Sequence, residues 1–69
     1  MDLDRFTTRP FPAALLARVS DLIPSHCRSV RAHHEDDGTC RLTGHISEAK
    51  EARRAIRIAR DEAETAHIR

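Results

Sequence analysis

The chain has 69 residues, 39% of them hydrophobic and 33% charged, with no Trp or Tyr; this excludes a multidomain enzyme, a collagen-like repeat and a membrane-spanning chain. Twelve Lys and Arg against eleven Asp and Glu leave a net charge of +1, without the overall excess that marks a strong non-specific nucleic-acid binder. A domain this short buries only about 60% of the surface its unfolded chain exposes, so burial against a second chain or a partner is the expected supplement.

Residues 1–11 read as an extended lead-in with two hydrophobic anchors, Phe6 and Phe11, and Arg9-Pro10-Phe11-Pro12 favours extended backbone up to the first helix. The start, Met1-Asp2-Leu3-Asp4-Arg5, places acids where a secretory signal carries bases, and no apolar run follows it. The expectation is a cytoplasmic protein with two reduced cysteines and no membrane association.

A first helix is predicted over residues 12–23. Pro12 suits its first position, where the missing N–H has no intrahelical partner, and Leu15, Leu16, Val19, Leu22 and Ile23 recur on one face before Pro24 ends it.

Residues 28–46 alternate around an Asp-Gly turn and predict a β-hairpin. A two-residue turn at Asp37-Gly38 sets apolar residues opposite polar ones. A three-residue loop with Gly38 left-handed instead pairs His34 with Cys40, Ala32 with Leu42 and Val30 with Gly44. That register collects the apolar side chains on one face and leaves Arg31, His33, Arg41, Thr43 and His45 on the other.

Ser47 can cap a final helix over residues 47–67, a stretch without Gly or Pro and rich in Ala, Glu and Arg. The expected fold class is therefore α+β: a single α-β-β-α domain over residues 1–69, its antiparallel hairpin packed by a short N-terminal and a long C-terminal helix.

Ala49, Ala52, Ile56, Ala59, Ala63 and Ala66 run along that helix at alternating spacings of three and four. One reading packs this stripe on the hairpin's apolar face with Ile56 as the anchor. The sharper one makes Ala52, Ile56, Ala59 and Ala63 the seam of a homodimer, a weak seam because Ala buries little area. Arg53, Arg57 and Arg60 follow at i, i+4 and i+7 on the flank. Together with Arg31 and Arg41 on the outer hairpin face, and with Ile58 away from the stripe, they are the candidate partner-binding residues, since guanidinium forks suit carboxylates and phosphates alike. The plain alternative is a solvated helix face in which Arg57 pairs with Asp61 and Arg60 with Glu64.

Cys27, His33, His34, Cys40 and His45 are residue types that bind zinc, but no C-x-x-C or H-x-x-x-H spacing joins them, and the hairpin register puts Cys27 and Cys40 at opposite ends. A Cys40–His34 pair would still need a pocket and an oxyanion hole, and no Gly-rich phosphate loop is present. No catalytic residue, metal or cofactor is expected. The functional expectation is a non-enzymatic module that binds a larger protein as a regulator or inhibitor. Chains of this size include those that phages and other mobile elements carry against host machinery such as CRISPR effectors, an association that no single residue carries. The alternative is a small nucleic-acid-binding module using the arginine flank and the outer hairpin face.

Overall fold

The computed structural model describes the backbone of residues 4–68 and the side-chain surroundings of residues 4–66. The acidic start at Met1-Asp2-Leu3 and the side chain of Ile68 lie outside the described residues. In chain order the elements are β1 (Arg5–Thr7), β2 (Phe11–Pro12), a 3₁₀ turn (Ala13–Leu15), α1 (Leu16–Leu22), β3 (Arg31–His34), β4 (Thr39–His45), a second 3₁₀ turn (Ile46–Glu48) and α2 (Ala49–Ile68). The α+β class holds: an antiparallel sheet is packed by a short and a long helix.

The hairpin takes the three-residue loop. Ala32 stands opposite Leu42 and His34 opposite Cys40, the Glu35 N–H donates to the Thr39 carbonyl at 2.9 Å, and Gly38 closes the loop at φ 85°. Asp37 shapes the turn by accepting from the Thr39 N–H at 3.0 Å and from its hydroxyl.

What sequence reading took as a lead-in is part of the sheet. β1 pairs with the C-terminal half of β4 (Phe6 opposite Gly44) and β2 with its N-terminal half (Phe11 opposite Cys40). Thr43 and Cys40 each have a second partner on β3, so β1 and β2 share one edge of β4 and β3 occupies the other. Between the two short strands, the Thr8 N–H donates to the Leu42 carbonyl and the Leu42 N–H donates to the Thr8 hydroxyl, both at 2.9 Å. Arg9 and Pro10 are then left facing Arg41 alone, a β-bulge.

Alternation on β4 sends Cys40, Leu42 and Gly44 inward and Arg41 and His45 to solvent. Phe6 and Phe11 join the inward set, and α1 adds Val19. Four alanines of α2 (Ala49, Ala52, Ala55 and Ala59) with Ile56 complete the core. The small side chains let the helix backbone lie close to the sheet, while Phe11, Leu42, Val19 and Cys40 fill the space beneath. At Gly44 the approach leaves no space: a Cβ would stand 3.0 Å from the Phe6 ring and 3.1 Å from the Ser29 carbonyl.

Both helices begin later than the sequence suggests. Pro12 is extended (φ −57°, ψ 132°) and ends β2 instead of opening a helix over 12–23, because the strand claims it as the partner of Thr39. At the far end Ile23 turns extended ahead of Pro24, which disfavours helical backbone in the residue before it. Ser47 lies within the 3₁₀ turn. The capping acceptor is the Nδ1 of His45, which takes the Ser47 N–H at 3.2 Å.

Candidate functional site

The sheet edge and α2 do not meet flush along the bulge. The bulge bends the chain there, and a groove of about 630 Å³ opens between Thr7-Thr8-Arg9 on one wall and α2 on the other. The helix wall presents Arg53, Ile56, Arg57 and Arg60, followed by Asp61 and Glu64 toward the C-terminal end. At 1.5 Å per residue, the wall from Arg53 to Glu64 spans roughly 16 Å, the length of about five residues of extended peptide. Cations line most of it and two carboxylates close one end.

Arg9, Arg53, Arg57 and Arg60 are all exposed. Arg60 is anchored, donating from Nη2 to the Pro10 carbonyl at 2.9 Å, which ties α2 to the bulge and gives that carbonyl a partner. The pairs expected on a merely solvated face, Arg57 with Asp61 and Arg60 with Glu64, are not among the ion pairs of the described residues. Glu62, on another flank of α2, pairs instead with Arg18 of α1 at 2.8 Å, and that bond holds its carboxyl below the usual range.

The remaining candidates separate. Arg41 lies on the outer sheet face, paired with Glu35 at 2.5 Å, and Arg31 lies on β3, across β4 from the groove. The continuous patch joining them to the helical arginines is therefore not formed: α2 packs on the sheet's inner face, whereas strand alternation sends these two side chains outward. Ile58 is half-buried in a notch with Leu22 and Pro24 on another flank of α2, a footing for α1 rather than a free apolar residue. Of the proposed seam, Ala52, Ile56 and Ala59 are 0%, 7% and 2% exposed within their own chain, and Ala63 alone is exposed. A helix-to-helix dimer through these four would have to open the core.

Sequence reading missed Arg9 as a site residue, and only the β1–β4 pairing brings it opposite α2. It also missed Glu48, which accepts from the Ser29 N–H at 3.0 Å and from the Ser29 hydroxyl. Those bonds, the hydroxyl's first, hold the Glu48 carboxyl below its ordinary value and pin the loop before β3 to the start of α2.

Cys27 and Cys40 are free and buried. Burial raises the Cys27 thiol above its ordinary pKa, with the charges of Glu48 and Glu51 adding to the effect. His34 Nδ1 lies 3.4 Å from the Cys40 sulfur, but no third ligand joins them, and no group of metal-binding side chains gathers among the described residues. Among the described residues, no helix is long and apolar enough to cross a membrane.

In comparisons with family models, curated proteins and solved structures, nothing matches this chain.

Proposed function

We propose that the chain is a non-enzymatic binding module that occupies a surface of a larger protein by taking an acidic segment of it into the arginine-lined groove. The observation that carries this reading is the placing of Arg9, from the far end of the sequence, beside Arg53, Arg57 and Arg60 around one open groove floored by Ile56. Guanidinium forks bind carboxylates in a bidentate manner, and an extended segment of about five residues fits the length. Asp61 and Glu64 favour a peptide over a nucleic acid, because a peptide can set its acids against the arginines and a neutral or basic residue against the two carboxylates, whereas a phosphate backbone carries negative charge at every position. A regulator or inhibitor acting this way, in the reducing cytoplasm where both thiols stay free, is the function we infer.

Titration calorimetry with an acidic hexapeptide and with a single-stranded oligonucleotide tests the reading. The peptide should bind, with affinity falling at least tenfold in an Arg53→Glu, Arg57→Glu variant that leaves the anchored Arg60 in place. Binding of the oligonucleotide alone, with a steep loss between low and moderate salt, would replace the reading with the nucleic-acid one. Peptide binding undiminished in the folded double variant would remove the groove from the account.

A further inference from the structure

The two edges of the sheet are treated differently by the sequence. Along β1 and β2, the bulge at Arg9-Pro10 and the prolines Pro10 and Pro12 interrupt the row of backbone donors, devices that keep a sheet edge from pairing with another chain. β3 carries no Pro, Gly or bulge, and all four of its residues are exposed.

The ladder fixes which β3 groups are free. Glu35 donates to Thr39 as a hydrogen-bonded pair, and alternation makes His33–Arg41 and Arg31–Thr43 such pairs too. Leu42 agrees, since its N–H and carbonyl are engaged by Thr8 on the opposite edge. The N–H and carbonyl groups of Ala32 and His34 therefore point outward along the open edge.

We infer that this edge is the interface with a second copy of the chain, β3 pairing antiparallel with β3 across a two-fold axis at His33 to join the two sheets. In that register Ala32 of each copy exchanges both backbone hydrogen bonds with His34 of the other. The charges select it: Arg31 comes opposite Glu35 of the second copy, twice by symmetry, on the outer face. Glu35 then lies between that arginine and its own Arg41. Centring the pairing on Ala32 instead would set Arg31 against His33, a contact without a negative charge. On the inner face the strands meet at the mouth of a cleft of about 260 Å³ whose lining mixes Ile23, Val30, Ala32 and Leu42 with Ser20 and Ser25. With the other edge obstructed, the association closes at two copies. It uses neither the groove nor the alanine stripe of α2.

Sedimentation equilibrium from low micromolar to several hundred micromolar tests this, with amide hydrogen exchange read at both ends of the range. The wild type should pass from monomer to dimer, and the Ala32 and His34 amides should exchange more slowly at high concentration. Ala32→Pro removes an outward donor without touching the β3–β4 ladder, so it should remain folded by circular dichroism and stay monomeric. Arg31→Glu should weaken the dimer at least tenfold and serves as the second variant if Ala32→Pro misfolds. A monomer throughout the range would overturn the inference. So would growth beyond two copies, concentration-independent exchange at Ala32 and His34, or a dimer that survives intact in either folded variant.

Discussion

Two residues show how tightly this small core is set. Gly44 lies under the Phe6 ring and the Ser29 carbonyl, and the second of these is backbone that cannot swing aside. Gly44→Ala should cost about 1–3 kcal/mol, by displacing either β1 or the loop held by Glu48. A urea midpoint equal to wild type would show that the approach is looser than the structure has it. Ile56, 7% exposed, separates the core from the groove floor. Ile56→Asp should abolish the cooperative thermal melt, because it removes the largest side chain that α2 contributes to the core and puts a carboxylate in its place, in a domain with little stability to lose. An unchanged melt would mean that this face of α2 is not buried.

Among the elements, the loop between α1 and β3 depends most on one ionised group. Glu48 accepts both Ser29 bonds as a carboxylate, so its pKa is lower in the folded chain than its ordinary value of 4.5. The stabilisation is therefore present above the unfolded pKa and is lost as pH falls through the folded one. Asp37 in the hairpin loop and Glu62 beside Arg18 are shifted the same way and add to the acid sensitivity. Urea unfolding followed from about pH 6 down to about pH 3 should show stability falling with acid, and falling less in Glu48→Gln, which has no carboxylate to protonate. Parallel curves would assign the acid loss to other groups.

Legibility in the sequence also varied by element. The hairpin register could be read because only one pairing puts Ala32, Leu42 and Cys40 on a common face, and side-chain alternation leaves no intermediate choice. The alanine stripe was visible, but not what it packs against. A small-residue face suits a sheet or a second helix equally, and Phe6 and Phe11, which decide the matter, looked like isolated anchors. Their strand was hidden by its own interruption: two short pairings broken by Arg9-Pro10 carry too little alternation to read as one strand. The groove was hidden with it, since Arg9 stands 44 positions before Arg53 and meets it only through tertiary pairing.

For the whole molecule, a slab 45 × 27 × 15 Å, the bulge leads to an unusual expectation about chain length. Removing one residue from a strand ordinarily turns every later side chain to the opposite face. Here the strand already carries one residue too many. Deleting Pro10 would bring Arg9 opposite Arg41 and leave Phe11 opposite Cys40, with Phe6, Thr8 and Phe11 still directed inward and the ladder uninterrupted. The shortened chain should fold, with a melting temperature within a few degrees of the original, while Arg60 loses the Pro10 carbonyl and Arg9 is drawn down into a straight edge. Peptide affinity should drop while stability holds. The extra residue would then be an insertion kept for what it recognises, a length variation that the architecture tolerates in either form.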